Sequence, residues 1–232
     1  MAVKIGSARS SFGNTKAGDQ SGGKEVSTQG WYLHSKGWFV LRAKDASKRK
    51  LIAEAMQKAC ANNDIGYSQG SRNTLYNDVK ASGFDPSKTT KAVNTDCSAL
   101  VRVCCAYAGI TAGDFITSSL KKVLMATGAF DCLTEDKYCK SSDYLMVGDI
   151  LCTRQKGHTV VVLSDGAKVE PEETPSSDSP IKSGTWNLRA EPDGEIIGTV
   201  KAGDAVTLVE TDGWAFVKVG GKIGFVSKKA FE

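Results

Sequence analysis

Three of the chain's seven cysteines fall within Asn94 to Gly109, NTDCSALVRVCCAYAG. A cysteine attacks a carbonyl carbon as its thiolate, and a free thiol with a pKa near ~8.5 is only a few per cent ionised at neutral pH. A helix N-terminus or a neighbouring histidine lowers that pKa. The stretch reads as a helix: Asp96 is an N-cap type, Leu100, Val101, Cys104, Cys105 and Tyr107 form a broad apolar face, and Gly109 is a stop. Cys97 then lies in the first turn, where its own N–H and that of Ser98 lack intrahelical partners and are free to serve an oxyanion. Cys104 and Cys105 lie further along, toward the negative end, and suit a core. The chain has two histidines as possible partners. His158 opens the run HTVVVLS, which sets its ring at a sheet edge facing a helix start. His34, in the aromatic segment WYLHSKGW, reads as a surface or packing residue.

The elements that must hold these groups follow from the pattern. The first 30 residues are rich in Gly, Ser, Thr and Lys and read as an arm or long loop, with Asp19, Gln20 and Glu25 as polar groups that either drape over a cleft or hug the surface. A helix is expected from Ala46 to Ala61 behind the cap Asp45, and a shorter one in GSRNTLYNDVKASG. TSSLKKVLMATG gives another, capped by Thr117 or Ser118. Strands follow in GDILCTR and HTVVVLS, then a turn at Asp165-Gly166 and a strand in AKVEP. Residues 171–184 hold three of the five prolines among Ser, Asp and Glu, the composition of a linker. The last 48 residues alternate short apolar runs with turns, the pattern of a small all-β barrel. The expected organisation is an arm and aromatic segment at 1–44, a catalytic core at 45–170, a linker at 171–184 and a barrel at 185–232, an α+β fold with helices packed on an antiparallel sheet.

Composition narrows the classes. At 232 residues with 41% hydrophobic and 24% charged residues, the chain is an ordinary globular protein. No apolar run nears the roughly 20 residues of a membrane span, and the N-terminus shows no signal-peptide core, so synthesis in the cytoplasm without membrane insertion is expected. Residues 1–170 carry 23 basic against 16 acidic residues, net +7, and the remainder 7 against 10, net −3. The basic part would be drawn to polyanions, but no dense Lys/Arg run with aromatics argues for nucleic acid. The odd, scattered cysteines do not form a disulfide framework, although Cys132 and Cys139 are placed to bridge in an oxidising setting. With no C-x-x-C pair and two histidines, no structural zinc site, other metal or cofactor is expected.

TDCSALVRVCCAYAG followed by GDILCTRQKGHTVVVLSDG resembles the NlpC-type family of papain-like cell-wall peptidases, over roughly residues 65–170. The family has an Asp-Cys-Ser-Gly-Leu-Val helix start and a Gly-Asp strand leading to Gly-His-hydrophobic; Ala99 stands here where it has Gly. The resemblance implies Cys97 as nucleophile and His158 as general base and then acid. It places the residue that orients the imidazole at Glu170, on the strand after the histidine, where the family has His, Asn or Gln. It also implies a tyrosine hydroxyl near the nucleophile, for which Tyr67 is the candidate, with packing as the other reading. Asp96 and Ser98 complete the expected oxyanion and substrate region. The C-terminal segment, with Asn187-Leu188-Arg189, Gly213-Trp214 and Gly224-Phe225, resembles bacterial Src-homology-3-type barrels found beside wall hydrolases. Trp214 and Trp186 are wall-binding candidates or core residues.

The expected function is therefore an endolysin-like peptidoglycan hydrolase, a monomer that acts on the wall after release and cuts a peptide amide by thiol chemistry. An amidase acting between glycan and peptide uses the same pair. A non-catalytic wall-binding protein is the reading from a different class.

Overall fold

In a computed structural model, the structure describes residues 2–10, 25–155, 157–169, 181, 183–204, 207–210, 214–219 and 222–231. Contacts divide the chain into two units, Met1–Val169 and Glu170–Glu232.

The first unit is built on a six-stranded antiparallel sheet. Its strands are β1 (Lys4–Ala8), β2 (Val26–Gly30), β3 (Trp38–Ala43), β6 (Phe130–Leu133), β7 (Ile150–Thr153) and β8 (Thr159–Val162), in the order β2-β1-β8-β7-β3-β6. The helices are α1 (Ala46–Ala61), α2 (Thr74–Val79), α3 (Cys97–Tyr107), α4 (Leu120–Ala126) and α5 (Asp136–Cys139), and a parallel pair, β4 (Ile65–Tyr67) and β5 (Val93–Thr95), stands apart.

Both faces of the sheet are covered, which is why every residue of ILCT and TVVV is buried. On one face Leu41, Ile150, Cys152 and Val161 pack with Ile52 and Met56 of α1 and with Leu100, Val101 and Cys104 of α3. On the other, Ile5, Trp38, Val40, Leu151, Val160 and Val162 form a second core. Asp45 caps α1 by accepting the N–H groups of Ser47 (2.8 Å) and Lys48 (3.1 Å). Gly109 ends α3 with φ +71°, the left-handed conformation that glycine adopts without strain.

The Gly-Asp pair before β7 has a structural task. Asp149 is fully buried and accepts Arg42 Nε and Nη2 at 2.8 and 2.7 Å and the Met146 N–H at 2.8 Å. Gly148 turns at φ +85°, and a Cβ there would lie 2.0 Å from the Arg49 carbonyl oxygen.

Three expectations are corrected. The first 30 residues are not only an arm: β1 pairs with β8 and β2 with β1, because Val3, Ile5, Ala8 and Val26 bury almost completely on the sheet. Residues 167–169 form no strand; Gly166 N donates to Leu145 O and Lys168 N to Asp143 O, both at 2.8 Å, which folds the segment as a turn against 142–145. The cap of α4 is Ser119 rather than Thr117 or Ser118. Most of the expected linker lies outside the described residues, as do Asp19, Gln20 and Glu170.

The second unit is an antiparallel five-stranded sheet of β9 (Thr185–Arg189), β10 (Ile196–Lys201), β11 (Thr207–Glu210), β12 (Trp214–Val219) and β13 (Lys222–Ser227), ordered β10-β9-β13-β12-β11. Ile181, Leu188, Val200, Val217 and Val226 fill its core, with Trp186 packed against them. No helix among the described residues is long and apolar enough to cross a membrane.

Candidate active site

Cys97 opens α3 on the floor of a cleft of about 340 Å³. Asp96 and Ser98 flank it, and Tyr67, Gln69, Arg72, Ile116, Thr117 and Gly157 complete the lining. Three local arrangements make the cleft. First, Asp96 has extended backbone angles, and its Oδ1 accepts the Ala99 N–H at 2.7 Å and the Ser98 hydroxyl at 2.8 Å, which fixes the first turn of α3. Second, β4 pairs with β5 so that Tyr67 stands opposite Thr95, and Ser68 N donates to Thr95 O at 3.0 Å. This pairing carries a tyrosine 30 residues upstream into the cleft, where Gln69 Nε2 donates to its hydroxyl at 3.1 Å. Third, Gly157 N donates to Thr117 Oγ1 at 3.3 Å, tying the approach to β8 to the 114–117 segment.

Cys97 is 8% exposed. Burial first, then the charge of Asp96, pushes its pKa up to about 11, while the N–H groups of Thr159, Ser98 and Cys97 itself point at it and pull the other way. The resting group is therefore a thiol, in a cradle of donors suited to negative charge once a proton is removed. Cys152 lies on the same side of the sheet, its own pKa pushed to about 12 by burial and by Cys97. Cys104 and Cys105 are fully buried in the helix-side core, and burial pushes Cys105 to about 12. Cys132 and Cys139 are thiols and are not bridged to each other. Tyr67 has its hydroxyl pKa raised, mostly by burial, with Cys97, Asp96 and the buried Glu25 adding to the effect.

His158 directly precedes β8, which pairs with β7 from Thr159 onward and with β1 at Val161 and Val162. β7 and β8 pair Cys152 with Thr159, and Thr153 N donates to the His158 carbonyl at 3.0 Å. Alternation along the strands puts Cys152 and Thr159 on the α3 side and His158 and Thr153 on the side of Trp38. The His158 ring accordingly lies 6.4 Å from Trp38, centroid to centroid, and His34 packs 5.2 Å from the same indole. Burial, with the charges of His34 and Arg9, lowers the His158 pKa to about 4, so this imidazole is neutral at pH 7. What reaches the sulfur directly is the peptide joining His158 to Thr159.

Sequence reasoning passed over Arg72, Gln69, Ile116 and Thr117. Arg72 sits in a short polar loop with no motif around it, and only its contacts mark it. In the second unit Trp186 is half-buried with its Nε1 donating to Ser183 O at 2.8 Å, and Trp214, also half-buried, stands opposite Ser227. Among the described residues no group of three His, Cys, Asp or Glu is placed to hold a metal ion.

Residues 8–169 match the family model of the endolysin-like domain. The chain belongs to the endolysin-like domain family. Residues 183–232 of this endolysin-like chain match the bacterial SH3 domain. The two together support a peptidoglycan hydrolase in general, with the SH3 domain fitting wall binding. No curated protein and no solved structure matched the chain.

Proposed function

We propose that this chain hydrolyses an amide bond of the bacterial wall peptide, most simply as an endopeptidase, with Cys97 as nucleophile. The observation that carries the reading is the thiol at the head of α3, on a cleft floor, with three backbone N–H groups turned to its sulfur. As Sγ attacks the carbonyl carbon, its proton passes to His158, and the carbonyl oxygen takes the electron pair. The N–H groups at the start of α3 then serve the oxyanion. Collapse expels the amine, which takes the proton back from the imidazolium; water then attacks the thioester, releasing the acid and restoring the thiol.

The resemblance is what supports His158 in this role: its ring lies beside Trp38, on the face of the sheet away from α3, where burial lowers its pKa to about 4. For transfer the ring must turn to within about 3.5 Å of Sγ, which also takes it out of the surroundings that lower its basicity. Tyr67, Asp96 and Ser98 are proposed to bound the reacting group. Glu170 is proposed from the resemblance alone as the residue that orients the imidazole. Trp214 and Trp186 are proposed to meet the wall, whose local concentration the tethered second unit raises. The resemblance also supports an NlpC-type cysteine peptidase of phage or prophage origin, acting as a monomer after release from the cytoplasm.

Mass spectrometry of fragments released from a defined cell wall tests the reaction. A new amine and carboxylate within the stem peptide supports the endopeptidase, and a freed lactyl carboxylate on the sugar identifies the amidase with the same chemistry. Fragments that carry only new reducing ends contradict amide cleavage.

A further inference from the structure

The loop before α2 carries one arginine into the wall of the Cys97 cleft, and no step of the proposed chemistry uses it. Arg72 Nε donates to Asp96 Oδ2 at 2.6 Å, and its Nη1 donates to both Asp114 oxygens at 3.0 Å. Its Nη2 donates to Ser98 Oγ at 3.0 Å and to the Phe115 carbonyl. The side chain is 15% exposed. Burial pulls its pKa down, but Asp96 and Asp114 more than offset this, so the guanidinium stays charged.

Each contact lands on a part of the site. Asp96 is the cap of α3 and the residue before the nucleophile. Ser98 is the residue after it. Asp114 and Phe115 begin the segment whose Ile116 and Thr117 also line the cleft, and Asp114 is held again by Asn73 Nδ2 at 3.1 Å and by Arg102 at 3.6 Å. One planar fork thus joins the cap, the first turn and the 114–117 segment, which the single point of a lysine ammonium does not reproduce. The groups that act on the sulfur are Asp96 on its own element, Tyr67 from β4, Cys152 from β7 and the Thr159 peptide from β8, and Arg72 lines the same cleft paired with Asp96. Of these, Asp96 and Arg72 form the charged pair.

We propose that Arg72 is a positioning residue of the Cys97 site: it holds the 114–117 wall to the start of α3 and cancels the carboxylate charge that Asp96 sets beside the sulfur. The proposal rests on the reading of Cys97 as the reacting group. Asp96 is the largest influence after burial that keeps the thiol protonated, so baring its charge disfavours the thiolate further.

The test is the pH profile of Cys97 alkylation by iodoacetamide in the full chain, read by peptide mass spectrometry. Arg72→Met is expected to move the midpoint upward and slow labelling at fixed pH about tenfold, since one pH unit in the midpoint is a factor of about 10 in thiolate. Asp96→Asn, which keeps a capping oxygen, is expected to move it downward, and Arg72→Met with Asp96→Asn to return it near wild type. Arg72→Lys should leave the midpoint near wild type but slow wall clearing, because the charge stays and the fork is lost. An unmoved midpoint in Arg72→Met, or a shift that Asp96→Asn does not reverse, overturns the proposal. If Arg72→Met does not fold, Arg72→Gln is read in its place: a raised midpoint that Asp96→Asn reverses supports the account, an unmoved midpoint overturns it. Failure of the Cys97 reading shows elsewhere, as undiminished wall clearing by Cys97→Ala.

Discussion

Acid should weaken this fold through His158 in a window that its surroundings define. The ordinary imidazole pKa is about 6.5, and burial beside Trp38, with the charges of His34 and Arg9, lowers it to about 4 in the folded chain. Between those two values the unfolded chain binds a proton that the folded chain refuses. The contribution is fully present above about pH 6.5 and is lost as the pH falls toward 4. At about 1.4 kcal/mol per pH unit of separation, the loss across the window is about 3 kcal/mol. Urea unfolding followed by tryptophan fluorescence, repeated from pH 7.5 to 4, measures it. His158→Gln carries no titrating ring, and every other group titrates alike in both proteins. Wild type should therefore lose about 3 kcal/mol more than His158→Gln between pH 7 and pH 4. Parallel curves for the two proteins would refute the burial of a neutral imidazole against Trp38.

Two further outcomes follow from packing. Gly148→Ala should cost more than ~2 kcal/mol in a thermal melt, since it forces a Cβ into the Arg49 carbonyl at a backbone angle that disfavours a side chain; a melt within a degree of wild type would contradict the close approach. In thiol labelling of the native chain at pH 8, the half-buried Cys132 should react first and Cys97 slowly, because its thiol is held to about 11. Cys104, Cys105 and Cys152 should react only on unfolding, and early labelling of Cys152 would contradict the sheet packing.

How much was legible in the sequence depended on whether the signal was local. Asp45 and Asp96 announced their helices because a cap is a contact within three residues, and Gly109 marked the end of α3 for the same reason. The five strands of the second unit were legible from turn residues between short apolar runs. β1 and β2 were not: KIGSA and VSTQG are strands because β8 offers an edge and a core, not through any pattern of their own. Tyr67 was named from resemblance, and only the β4–β5 pairing explains how it reaches Cys97. The strand expected at AKVEP became a turn because Gly166 and Lys168 bond to the 142–145 loop instead. The side of the sheet that His158 takes is a matter of register, set by Cys152 facing Thr159, and spacing between motifs does not contain it. Arg72 was invisible because its meaning is an ion pair with Asp96 and another with Asp114, both remote in sequence.

The central claim is that the sulfur at the head of α3 does the chemistry. The rate at which the full chain clears a suspension of purified bacterial cell walls, wild type against Cys97→Ala at matched wall binding, tests it most directly. The account predicts clearing by wild type and none above background by Cys97→Ala. Equal rates for the two proteins would contradict it.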